Sequence, residues 1–169
     1  LWGGDGDDTV NAGEDFDFLY GEAGNDTLNG NGGNDQLGGG DGIDTLNGGA
    51  GFDILRGGLG NDVMNGGDDG DHLYADGGVD AIDGGDGIDT LFLDRAATAL
   101  AYSINLNDLA TASGVTLADG TTVKNVERFE ITTGSGNDIF NIVGKPEDNG
   151  MLFAACSIDG GGGLDQLSV

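Results

Sequence analysis

Between Gly3 and Phe92 one apolar residue returns at every ninth position: Val10, Leu19, Leu28, Leu37, Leu46, Leu55, Met64, Leu73, Ile82 and Leu91. Two places before each stands an aspartate: Asp8, Asp17, Asp26, Asp35, Asp44, Asp53, Asp62, Asp71, Asp80 and Asp89. No insertion or deletion interrupts these ten units. The unit reads Gly-Gly-x-Gly-x-Asp-x-U-x, with U apolar, and Gly39 to Asn47 fits it in full. The first place is Gly in eight units and Ala in two (Ala12, Ala75); the fourth is Gly in eight and Asp in two (Asp15, Asp69). A strict period this short predicts a solenoid.

The glycines suit a turn that needs positive φ and close backbone approach. The last three places, as in Thr45-Leu46-Asn47, predict a short strand with one inward side chain. One unit is then a turn plus a strand, and two units, 18 residues, close one coil. Strands from alternate units stack into two sheets. Their inward rows are Val10, Leu28, Leu46, Met64 and Ile82 on one side, and Leu19, Leu37, Leu55, Leu73 and Leu91 on the other. One apolar residue in nine is a thin core against an ordering cost of about 1–2 kcal/mol per residue. Something besides apolar burial must hold the coils together.

Coils stacked about 4.8 Å apart place Asp8, Asp26, Asp44, Asp62 and Asp80 in one column, and Asp17, Asp35, Asp53, Asp71 and Asp89 in the other. Alone, these carboxylates repel one another. A Ca2+ between neighbouring rungs takes carboxylate oxygens plus turn carbonyls, with roughly 6–8 oxygen ligands in a flexible geometry. Mg2+ prefers a tight octahedron and keeps its waters. No Cys or His accompanies the columns, which argues against zinc. Five aspartates per column leave four gaps, so two columns offer eight nominal Ca2+ sites. Eight such ions would bring +16 against a formal net charge of −26. Binding and folding are therefore expected to be one coupled event.

With ten in-phase copies of this unit, the chain resembles the RTX, or hemolysin-type calcium-binding, repeat proteins. The resemblance implies an all-β fold, a right-handed parallel β-roll (a β-helix or solenoid) with Ca2+ in its turns. It implies that sixth-place aspartates one coil apart share an ion, and that early-turn carbonyls complete its shell. Carried onto this chain, the metal ligands are the ten aspartates above and the interior fourth-place carbonyls of Gly24, Gly33, Gly42, Gly51 and Gly60. Departures at Asp15 and Asp69 (fourth place) and at Glu22, Asn31 and Asp76 (second place) are expected to distort nearby sites or add a ligand. The terminal rungs Asp8, Asp17, Asp80 and Asp89 have one array neighbour only and are expected to be completed differently. The resemblance also implies type I secretion by a Gram-negative bacterium, with the product outside the cell or on its surface.

Beyond the array the composition shifts. From Asp94 to Arg128 glycine is scarce. Tyr102 to Leu106 alternates like a half-buried strand, Ala118 to Thr121 reads as a turn, and Val123 to Ile131 as further strand. The run Val126 to Ile131, followed by Gly134 to Asp138, resembles a connector between repeat blocks and is expected to stack on the roll and cover its edge. The unit returns at Thr133 to Asn141 and at Gly160 to Ser168, with Asp138 and Asp165 at the sixth place. The slots between carry Glu147 and Cys156 there, so no full site is expected, and Lys145 to Gly150 reads as a surface loop. The expected organisation is a roll over 1–92, a β-rich connector or cap over 93–132 and a degenerate continuation over 133–169. Both ends look cut from a longer chain.

Several functions are disfavoured. No nucleophile motif, phosphate loop or zinc signature is present, so the chain is expected not to be an enzyme. Its acidity argues against nucleic acid and anionic membranes as direct partners, and no apolar run is long enough to span a bilayer. One Cys excludes an internal disulfide framework, and Cys156 reads as a small buried hydrophobe. His72 reads as an outward surface residue. The outward columns Thr9, Thr27, Thr45, Val63, Ala81 and Asn11, Asn29, Asn47, Asn65, Asp83 are open to ice or carbohydrate, or reflect strand propensity alone. The other outward face, with Phe18, Tyr20, Arg56, His72, Tyr74 and Phe92, suits packing by a neighbouring domain. The leading expectation is a calcium-binding structural or adhesin-type roll of a large secreted protein, whose partners are calcium, neighbouring repeats and domains, and the type I secretion machinery. The alternative is the accessory module of a secreted protease, lipase or polysaccharide-modifying enzyme; a carbohydrate or cell-surface ligand is a lesser one.

Overall fold

A computed structural model describes residues 1–97, 99–105, 111, 113–141 and 157–168, with backbone alone at 104, 105, 141, 157, 167 and 168. The expectations for Leu106, the loop at 145–150, Glu147 and Cys156 lie outside the described residues. The fold is all-β, without helix among the described residues. The strands of the array are β1 (Trp2–Asp5), β2 (Thr9–Asn11), β3 (Phe18–Ala23), β4 (Thr27–Gly32), β5 (Gln36–Asp41), β6 (Thr45–Ala50), β7 (Ile54–Leu59), β8 (Val63–Asp68), β9 (His72–Ala75), β10 (Ala81–Asp86) and β11 (Thr90–Asp94). They are followed by β12 (Ser103–Asn105), β13 (Val115–Thr116), β14 (Thr122–Lys124), β15 (Arg128–Thr132), β16 (Ile139–Asn141), β17 (Ser157–Asp159) and β18 (Gln166–Ser168).

Alternate strands stack in parallel. One sheet runs β1-β3-β5-β7-β9-β11-β15-β17 and the facing one β13-β14-β10-β8-β6-β4-β2. Together they form a β-solenoid of about five turns. Register is the expected one: Val10 pairs with Leu28, Leu28 with Leu46, Leu46 with Met64 and Met64 with Ile82. Opposite, Leu19, Leu37, Leu55, Leu73 and Leu91 follow one another in the same way. All of these except the partly buried Val10 are buried.

The strands are longer than the sequence predicts. β6, for example, covers Thr45–Ala50 and so continues through the first three places of the next unit. The continuation is bent: Asn47 pairs with Asn65 and Gly49 with Gly67, and Gly49 has φ of 118°. That left-handed conformation is cheap only for glycine. Glu22, Asn31 and Asp69 nevertheless adopt it at φ of 79°, 74° and 71°. At these three places the backbone keeps the glycine path at the expense of local strain, whereas beside Asp76 the strand stops early, β9 ending at Ala75.

The C-terminal segment continues the coil. β14 pairs with β10, so that Val123 follows Ile82, and β15 pairs with β11, so that Phe129 follows Leu91. Val123 to Ile131 is therefore two strands in two sheets and not one strand. Asn125, at φ of 52°, turns the chain between them, and its Nδ2 donates to Asp83 Oδ1 at 2.7 Å. β13 folds back antiparallel on β14, while β12, β16 and β18 form a third, parallel sheet. Here the core thickens: Leu93, Tyr102, Leu117, Val126, Phe129, Ile131 and Phe140 are buried together.

Candidate metal centre

The sixth place directs its side chain inward, just before the strand whose eighth-place residue fills the core. Asp26, Asp35, Asp44, Asp53, Asp62, Asp71, Asp80 and Asp89 are all buried. Along each column one carboxylate oxygen is taken by the preceding coil. The backbone N–H of Asp26 donates to Asp44 Oδ1 at 2.8 Å, that of Asp35 to Asp53 Oδ1 at 2.7 Å, and that of Asp71 to Asp89 Oδ1 at 2.7 Å. The same 18-residue step links Asp8 to Asp26, Asp17 to Asp35, Asp44 to Asp62, Asp53 to Asp71 and Asp62 to Asp80.

The other oxygen has no protein partner. Oδ2 of Asp26, Asp35, Asp44, Asp53, Asp71 and Asp89 is buried and unbonded. A buried, unpaired carboxylate oxygen is strongly unfavourable. Burial accordingly pushes the carboxyls up: Asp53, Asp62 and Asp89 to about 6 and Asp71 to about 7. Asp35 and Asp44 shift in the same direction for the same reason.

The first-place glycine makes room for this oxygen. A Cβ at Gly30 would come within 2.5 Å of Asp35 Oδ2, and one at Gly84 within 2.6 Å of Asp89 Oδ2. Three units with a described sixth-place aspartate begin otherwise, and in each Oδ2 has a partner. After Ala12, Asp17 Oδ2 accepts from the Gly13 N–H at 3.3 Å. After Thr133, Asp138 Oδ2 accepts from the Thr133 hydroxyl at 2.7 Å. After Ala75, Asp80 Oδ2 accepts from Arg95 Nη2 at 3.1 Å.

Arg95 shows what the turn oxygens can hold. Its guanidinium is buried and also donates to the carbonyls of Ala75 (2.8 Å), Asp76 (3.0 Å) and Gly78 (3.3 Å). These are the first, second and fourth places of the unit that ends in Asp80. One repeat turn thus surrounds a cation with three main-chain oxygens and its sixth-place carboxylate. The fourth-place carbonyls of Gly24, Gly33 and Gly42 lean on the fourth-place glycines of the next coil, where a Cβ would run into them. Among the described residues no group of three or more His, Cys, Asp or Glu side chains is placed to hold a metal ion. A cation in this roll therefore needs main-chain oxygens beside its carboxylates, a donor set of hard oxygens that suits Ca2+. The residues fit the ion.

Four residues were not visible as site residues in the sequence: Arg95, Thr121 and Glu127 at the column ends, and Thr133 beside Asp138. Asp80 N–H donates to Thr121 Oγ1 at 3.2 Å, and Asp89 N–H to Glu127 Oε2 at 2.9 Å. These partners lie 41 and 38 residues on, off the nine-residue period. Ala75 in a glycine slot was the one visible hint. The last rungs, Asp80 and Asp89, thus give their backbone N–H groups to residues other than aspartate.

On the outward faces, Asn29 donates to Asn11 Oδ1 at 2.9 Å, Asn47 to Asn29 at 2.8 Å and Asn65 to Asn47 at 3.1 Å. This column spends much of its polar capacity on itself. On the other face His72 sits edge-on between Phe52 and Phe92, at 4.8 and 5.4 Å between ring centres, so it is outward but half-buried.

An all-β solenoid with paired columns of buried, half-satisfied carboxylates defines a calcium-binding β-roll. The RTX calcium-binding nonapeptide repeat (4 copies) matches residues 2–37, 38–73 and 65–91, and the chain belongs to that family. Its repeats bind calcium. No curated protein and no solved structure matches the chain.

Proposed function

We propose that this chain is a calcium-switched structural module of a large secreted protein, expanded where calcium is scarce and rolled where it is plentiful. The observation that carries this reading is the set of six buried Oδ2 atoms without a partner in a chain of net charge −26. Without cations those charges repel and the thin core cannot outweigh chain entropy. Bound Ca2+ supplies positive charge and coordination to Oδ2 and to turn carbonyls, and mass action then stabilises the rolled state. The ten sixth-place aspartates and the carbonyls of Gly24, Gly33, Gly42, Gly51 and Gly60 are the proposed ligands, for nominally eight ions. An expanded chain suits passage through a narrow type I secretion channel and a rolled one suits a rigid role outside or on the cell. We divide the chain into roll 1–92, cap 93–132 and continuation 133–169. No helix among the described residues is long and apolar enough to cross a membrane.

A calcium titration followed by circular dichroism, with magnesium as control, tests the switch. The expected result is a cooperative, calcium-selective, chelator-reversible gain of β structure; full β structure in excess chelator would refute it. The second reading is an accessory roll of a secreted exoenzyme. It draws support from the outward aromatic column, where Trp2 stacks near Tyr20 at 6.0 Å and Tyr74 on Phe92 at 4.3 Å. A neighbouring catalytic domain would bury that column, so its tyrosine and tryptophan fluorescence should shift when such a domain is supplied.

A further inference from the structure

The two carboxylate columns stop at different chemistry. Asp80 closes one and Asp89 the other, and both carboxylates are buried. Beyond Asp80 the next coil brings Thr121 and Arg95. The guanidinium binds Asp80 Oδ2, Thr121 Oγ1 at 3.1 Å, Asp119 Oδ2 at 2.7 Å and the Ala75, Asp76, Asp94 and Gly78 carbonyls. Beyond Asp89 the next coil brings Glu127. It accepts the Asp89 N–H just as the next aspartate accepts from every earlier rung, and the N–H groups of Glu127 and Arg128 return bonds to the Asp89 carbonyl at 3.2 and 2.9 Å. Asp89 Oδ2 stays buried and unpartnered.

We propose that the columns end in opposite ways: Arg95 stands permanently where a divalent cation would close the Asp80 column, and the Asp89 column runs one carboxylate beyond the repeats, to Glu127, and holds a further divalent cation there. This rests on the calcium reading above. The Arg95 end needs no metal, because its cation is covalently part of the chain. It also adjoins the thickest apolar core, with Leu93, Tyr102, Leu117 and Val123 buried nearby. The cap is then an ordered end onto which the coils are added as calcium binds.

Ion counting by native mass spectrometry in calcium buffer separates the claims. Glu127→Gln keeps the acceptor for the Asp89 N–H and removes the charge, and it is expected to bind one calcium fewer than wild type. Arg95→Ala frees Asp80, Asp119, Thr121 and three turn carbonyls, and it is expected to bind one calcium more. An unchanged count in Glu127→Gln overturns the Asp89–Glu127 site, and an unchanged or lower count in folded Arg95→Ala overturns the Arg95 assignment. Should Arg95→Ala not fold, hydrogen exchange of the wild-type chain in chelator decides. Amides at 75–80 and 119–122 are expected to stay protected while those at 39–62 exchange; equal loss in both overturns it. A wild-type chain that binds no calcium at all would instead overturn the underlying reading, an outcome distinct from calcium binding with silent variants.

Discussion

Asp35 and Asp53 share one hydrogen bond and divide two jobs. The Asp35 backbone N–H reaches Asp53 Oδ1 at 2.7 Å, and Asp53 Oδ2, equally buried, is left without a partner. One oxygen stitches neighbouring coils and the other waits for charge.

Asp53→Asn should therefore act with opposite signs in the two metal states. Asparagine Oδ1 can still accept the Asp35 N–H, while the buried charge disappears. In calcium, the titration midpoint should rise about tenfold or more, equivalent to ~1.4 kcal/mol, because a carboxylate shared by adjacent sites is gone. In chelator the variant should be no less ordered than wild type. Calcium titrations and denaturant melts on the two proteins would show it; an unchanged midpoint refutes the shared-ligand role.

The metal-free roll should respond to acid. Burial raises Asp53, Asp62 and Asp89 to about 6 and Asp71 to about 7, from the ordinary aspartate value of 3.8. A carboxyl whose pKa is higher when folded contributes stability that is fully present below about pH 4 and lost as pH rises through about 6–7. Chelated protein should thus gain β structure between pH 8 and pH 5. Calcium needs the ionised form, so its midpoint should move to higher concentration over the same window. Circular dichroism in chelator and in calcium, at several pH values, checks both signs.

Leu46 is fully buried between Leu28 and Met64. In saturating calcium, Leu46→Ala should destabilise the roll by roughly 2–5 kcal/mol, read as a lower urea midpoint. A small loss would mean that ion coordination, not packing, dominates.

Gly30→Ala tests the first-place cradle. Its Cβ would come within 2.5 Å of Asp35 Oδ2 and of the Gly48 carbonyl. The expected result is a loss of calcium affinity around Asp35, seen as fewer bound ions at limiting calcium. Adding an alanine at Gly13, where nothing lies within 4 Å of the new Cβ, should leave the ion count unchanged.

The sequence made the roll legible because its period is unbroken from Gly3 to Phe92. Both leucine rows and both aspartate columns follow from counting by nine. Strand length was less legible, since Gly48-Gly49-Ala50 carries turn residues yet lies in β6. The split of Val123 to Ile131 into β14 and β15 was hidden because nothing apolar marks Asn125 as a corner; its side-chain bond to Asp83 does. The column ends were least legible. Thr121, Glu127 and Arg95 meet their aspartates through a segment whose length ignores the period, so only the folded chain brings them together.

Every stitch between coils from a sixth-place aspartate of the array to a backbone amide points the same way: the earlier coil donates and the later coil accepts. A roll wired so has a finished end and an extensible end. At the finished end, Thr121 and Glu127 must answer amides for which no further aspartate exists. At the other, a new coil needs only to offer its own amides to Asp8 and Asp17, and no existing bond changes. Array length can then drift on the N-terminal side under duplication and loss of units, while the C-terminal closure stays as a fixed part.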